Sequence, residues 1–147
     1  MVCYRHGHRS RLIYRMLPYR GRKRDKKSFT WQDYRDLIVM AHIQLGAPIV
    51  LCCDNLNRHV CKEIKEWAAA NSAWLTIFQL PSYAPELNPA EGIWSLIKRG
   101  VLANLAATSV DHLVKVAKHG LKLIRYRPHL VDGCLAETGL TTAPTLT

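Results

Sequence analysis

Two carboxylates stand where this chain could do chemistry. Asp54 ends an apolar run at residues 48–53, and Glu91 follows a loop pinned by Pro81, Pro85 and Pro89. An acid placed directly after a buried strand has a fixed backbone and points to the mouth of an α/β sheet, where sites form. It equally suits a turn or a helix cap, because Asn55 and Asn57 crowd the same place. Glu91 has the same ambiguity. Asn88 is a good N-cap and Pro89 suits the first helical position, which makes Glu91 the third residue and half of a capping box. His59 lies five residues beyond Asp54 and either faces the same mouth or merely starts the next helix. By spacing, Glu91, Ser95, Lys98 and Arg99 share one helix face, and Ile93, Trp94, Ile97 and Val101 the other. A carboxylate on the first turn with cations one or two turns later could hold a metal while Lys98 or Arg99 touches phosphate. Hard divalent ions such as Mg²⁺ select such oxygen donors.

These side chains need elements to position them. Short apolar-aromatic segments at 2–4 and 11–17, parted by His6-Gly7-His8-Arg9-Ser10, predict a hairpin. Thr30, with Asp33 three residues on, predicts a capped helix that Gly46 ends. The run 48–53 predicts a strand buried on both faces, with Cys52 and Cys53 as small core residues. Val60, Ile64, Trp67 and Ala68 form one helical stripe. Residues 75–80 predict a strand, 89–103 a helix, and 109–125 a helix whose outer face carries Lys115, Lys118, Lys122 and Arg125. The order predicts an α/β domain with a mixed sheet, a hairpin leading into parallel strands through right-handed crossovers. The Thr/Ala/Pro tail at 137–147 predicts disorder, which leaves residues 1–136 as one domain.

The 147 residues suffice for a core, and no apolar run nears the roughly 20 residues that span a bilayer. No apolar segment follows the basic N-terminus, so a secretory signal is not expected and the expected place is the cytoplasm. Five scattered cysteines without a CxxC pair support neither a disulfide framework nor a zinc site. Charge is concentrated. Residues 1–27 hold ten Lys/Arg against Asp25 alone, nine of the ten net positive charges. Such a block predicts a polyanion partner, phosphate backbone first, through residues such as Arg20, Arg22, Lys23 and Arg24.

The segment Asp54-Asn55-Leu56-Asn57-Arg58-His59 resembles the "DN…H" motif of the IS630/Tc1/mariner superfamily of transposases. The loop Leu80-Pro81…Tyr83…Pro85…Leu87-Asn88-Pro89…Glu91…Trp94 is similar to that superfamily's LPxYxPxLNPxExxW motif. The 36 residues between Asp54 and Glu91 also suit its second and third catalytic acids. The resemblance covers roughly residues 1–135 and is nearest to the bacterial IS630 branch, which implies nucleoid association. It implies an RNase H-like fold, an Asp-Asp-Asp/Glu triad that binds two Mg²⁺ or Mn²⁺, and cleavage of transposon ends followed by strand transfer into target DNA. Asp54 and Glu91 would then bind metal, and His59 would stand near the scissile phosphate.

The first acid of such a triad lies on a strand ahead of the hairpin. The acids before Asp54 here are Asp25, Asp33 and Asp36, and none follows a strand. The expectation is therefore an N-terminally truncated RNase H-like domain lacking its central strand, with two of three metal-binding acids, inactive alone, and needing a second copy or a missing N-terminal segment. Two alternatives stand beside it: a small nuclease that recruits Asp36 or Glu86, and a non-enzymatic DNA-binding remnant.

Overall fold

Local capping chemistry decides where the first helix lies. In the computed structural model, which describes residues 1–54 and 61–142, helix α1 spans Trp31–Leu45 between Thr30 and Gly46. The Thr30 N–H donates to Asp33 Oδ2 at 2.7 Å and the Thr30 hydroxyl to the same atom at 2.9 Å. Lys26 Nζ also donates to it, and these contacts together hold the Asp33 carboxyl far below the ordinary carboxylate range, the Lys26 bond contributing most. Gly46 ends the helix at φ 59°, a left-handed conformation that glycine adopts without strain.

The chain forms two units, residues 26–84 and residues 1–25 with 85–147. In the first, β3 (Ile49–Cys53) pairs in parallel with β4 (Leu75–Gln79), Ile49 opposite Leu75 and Cys53 opposite Gln79. Helices α1 and α2 (Lys62–Ala70) complete this unit. Ile38, Ala41, Ile64, Leu75 and Cys53 are its buried apolar residues. The His42 ring stacks on Trp74 at 4.1 Å between centroids, and Trp67 meets Trp74 edge-on at 5.9 Å.

The expectation of a strand buried on both faces fails here. Burial alternates along β3, and Val50 is 70% exposed, Phe78 58%. Cys53 is buried and Cys52 exposed. Successive strand residues point to opposite faces, and the α helices of this unit bury one of them.

In the second unit, β1 (Val2–Cys3) and β2 (Arg11–Leu12) form the antiparallel hairpin. Helices α3 (Pro89–Arg99), α4 (Val110–Arg125) and α5 (Pro128–Glu137) pack with it. Leu12, Ile93, Ile97, Leu121, Ile124, Val131 and Cys134 make the core. The Tyr4 hydroxyl donates to the Val131 carbonyl at 2.8 Å, tying the hairpin to α5, and Ser10 Oγ donates to Asp132. Gly120 lies against Val101, whose side chain leaves no room for a Cβ there. Among the described residues the architecture is mixed α/β with five helices, and the strands form two separate two-stranded sheets rather than one mixed sheet. Helix α5 escaped the sequence reading. Its signals are Pro128 at the first position and the buried pair Val131 and Cys134; Gly133 in the middle masks them, since glycine disfavours helix interiors. Residues 143–147 of the expected tail lie outside the described residues.

Candidate active site

Asp54 follows the last residue of β3. The Leu80 N–H donates to the Cys53 carbonyl at 2.8 Å, so the parallel pair continues to the point where the proline-rich loop leaves β4. Asp54 is half-buried at the carboxyl end of both strands, the edge at which α/β sheets place their sites. Burial first, and the Asp54 charge second, push the Cys53 thiol above its ordinary pKa. His59 and its neighbours 55–60 lie outside the described residues.

The loop from Leu80 contains a 3₁₀ turn at Pro85–Leu87 and delivers Asn88 as the cap of α3. Asn88 Oδ1 accepts the Ala90 N–H at 3.1 Å, and Pro89 occupies the first turn. In a capping box the third residue accepts the N-cap N–H. Here the Asn88 N–H donates to the Pro85 carbonyl at 3.0 Å instead. The Glu91 carboxylate is exposed and makes no hydrogen bond or ion pair among the described residues. Of the two readings open for Glu91, capping is thus the one its surroundings do not use. Tyr83, in the same loop, is fully exposed on a left-handed backbone at φ 58°. That conformation is uncommon for a residue with a side chain.

Helix α3 buries Ile93 and Ile97 and leaves Lys98 and Arg99 exposed in its last turn, where cations oppose the helix dipole favourably. Trp94, expected on the buried face, is 53% exposed. It stands one residue, about 100° of helix, from Ile93, at the rim of the contact. Beside Glu91, Gly92 sets the approach of α3 to α5: a Cβ there would lie 2.8 Å from Cys134 Sγ and 2.9 Å from Cys134 Cβ. Gly92→Ala should therefore lose stability, by about 1–2 kcal/mol after the helix-propensity gain of alanine is credited against overpacking. A urea titration of the purified variant measures it; unchanged stability would show that α3 and α5 sit further apart. Next to this contact a cleft of about 490 Å³ is lined by Ser95, Arg99, His129 and Glu137. The reading from sequence missed it because it missed α5.

The basic loop is folded, not free. Asp25 Oδ2 accepts the backbone N–H of Arg20 at 2.8 Å and of Arg22 at 3.2 Å. Arg20 donates to Asp111 Oδ1 from Nε at 3.0 Å and from Nη2 at 2.5 Å. Those bonds and the Arg20 charge hold the Asp111 carboxyl below its ordinary pKa. Arg20 thus anchors the loop, while Arg22 and Arg24 are exposed.

A family model described as DDE superfamily endonuclease matches residues 23–114, more than half of the chain, including Asp54 and Glu91. The chain belongs to this family. The kinship with Tc1/mariner and IS630 transposases read from the two motifs is borne out with it. The chain is similar to the "Transposable element Tcb2 transposase" of Caenorhabditis briggsae, 34% identical over 79 residues. That match takes in 52% of this chain and 28% of the relative, so the chain spans well under a third of that transposase's length. No solved structure matches. No helix among the described residues is long and apolar enough to cross a membrane.

DDE endonucleases in general use divalent metal ions. The donors would suit such an ion in kind: Asp54 and Glu91 carry the oxygen ligands that Mg²⁺ prefers. They do not make a complete set, because no group of three His, Cys, Asp or Glu is gathered among the described residues. The acids ahead of Asp54 are committed elsewhere. Asp25 holds the basic loop, Asp33 caps α1, and Asp36 accepts from Arg35 at 2.7 Å.

Proposed function

We propose that this chain is part of the catalytic region of a transposase, acting on DNA phosphodiesters, with Asp54 and Glu91 as two of its metal-holding carboxylates. The uncommitted Glu91 carboxylate carries the reading. It stands on a helix start fixed by Asn88 and Pro89, inside a motif and a family match that also contain Asp54. In this role the strand β3 fixes Asp54, and the capped first turn of α3 fixes Glu91. Arg22, Lys23, Arg24, Lys98 and Arg99 hold the phosphate backbone, with Arg20 positioning the loop. His59 serves as an accessory group near the scissile phosphate. Mg²⁺ or Mn²⁺ bound at such carboxylates supplies charge stabilisation of the attacking and leaving oxygens at phosphorus.

The family's RNase H-like architecture is part of this proposal. So is the inactivity of the chain alone: the acids ahead of Asp54 have structural tasks, and the third carboxylate then comes from a second copy. A DNA-binding role without catalysis is the second reading, favoured by the same shortage of acids.

Calorimetric titration with Mn²⁺ tests the assignment. Asp54→Asn and Glu91→Gln should each weaken binding by at least about tenfold, while Glu86→Gln, one turn ahead of the site, should leave it unchanged. A loss in Glu86→Gln alone would favour a nuclease with a recruited acid, and indifference of all three variants would remove the metal site from these residues.

A further inference from the structure

We infer that the exposed face of α4, joined to the anchored basic loop, forms a continuous track for the phosphate backbone of duplex DNA. The inference rests on the DNA reading above and assigns it a surface that neither motif contains. Lys115, Lys118, Lys122 and Arg125 recur at intervals of three and four residues, so they line one side of the helix. All four are exposed, while Gly120, Leu121 and Ile124 of the same helix are buried.

A charged face on an amphipathic helix is ordinarily only solvated, but three features separate this one. Its charge is uncompensated. Asp111 is the sole acid of α4, and Arg20 takes it; none of the four cations has an ion-pair partner among the described residues. The same Arg20–Asp111 contact seats the basic loop at the N-terminal end of the stripe, with Arg22 and Arg24 exposed. At the other end, Arg9 Nη2 donates to the Tyr126 carbonyl at 3.3 Å and brings a further cation. From Lys115 to Arg125 the helix rises about 15 Å, comparable with roughly four base-pair steps along a duplex axis.

The test is the salt dependence of binding to a fluorescent 20-base-pair duplex of arbitrary sequence, followed by anisotropy from about 50 to 200 mM salt. Three variants are compared with the parent chain: Lys115, Lys118, Lys122 and Arg125 all to Gln; Arg22, Lys23 and Arg24 all to Gln; and Lys62 and Lys65 to Gln on α2. Gln keeps the helix propensity of Lys and Arg, and circular dichroism checks that α4 persists. The α4 variant should flatten the log–log salt slope by about 3–4 and weaken binding more than tenfold. The loop variant should flatten it by about 2–3, and the α2 variant should barely alter it. An unchanged slope in the α4 variant, with the parent chain still binding, would overturn the track and leave the DNA reading standing. An α2 variant as impaired as the α4 variant would overturn it too, by reducing the effect to net charge. Failure of the parent chain to bind the duplex at all would instead remove the DNA reading on which the track depends.

Discussion

Incubated alone with Mg²⁺ and supercoiled plasmid, the chain should leave the plasmid uncut. Acids that jointly hold metal act as a unit, so a site short of one member should work at least roughly 10³-fold below a complete one. The physical reason lies in how the acids ahead of Asp54 are used. Asp25 accepts two backbone N–H groups, Asp33 is held by Thr30 and Lys26, and Asp36 faces Arg35. Releasing any of them to bind metal would undo a turn, a helix start or an ion pair. Gel separation of nicked and linear plasmid is the measurement. Robust nicking that disappears in Asp54→Asn and in Glu91→Gln would reverse the conclusion and show that a third ligand is recruited. Activity restored by adding a separate polypeptide that carries a strand-borne carboxylate would agree with it.

Ile97→Ala should destabilise the protein by about 2–5 kcal/mol, because a large buried side chain is lost and its neighbours cannot fully collapse into the cavity. Ile97 is 2% exposed and lies in the core shared by α3, α4, α5 and the hairpin. Thermal unfolding followed by circular dichroism should show the midpoint fall by roughly 10 °C. Since α3 also carries Glu91, the variant should weaken Mn²⁺ binding at temperatures where the parent chain is folded. A shift of only a degree or two would mean that α3 is not held by this core.

Local chemistry is where the residues speak most clearly. Thr30, Asp33 and Gly46 bound α1, Asn88 and Pro89 start α3, and Ser109 starts α4, because capping bonds span only three or four residues. The parallel strands β3 and β4 and the hairpin were legible for a similar reason: short apolar runs end at turn residues. What failed were statements about partners distant in the chain. Cys52 and Val50 belong to an apolar run but face outward, since burial depends on what covers a sheet and not on the run itself. Trp94 was misassigned to the core because apolar character does not say which side of a helix meets its neighbours.

The loop that carries the motif and membership of a DDE endonuclease family were readable from residue types and spacing alone, because such signals are local and specific. Only the tertiary structure showed that Glu91 does not act as a cap. The Asn88 N–H that would have received its carboxylate is taken by the Pro85 carbonyl, and this leaves the acid uncommitted. Tertiary structure likewise decided that Arg20 spends its charge on Asp111, 91 residues away. No pattern along the chain encodes a contact of that separation, and it turns a basic block into an extension of α4.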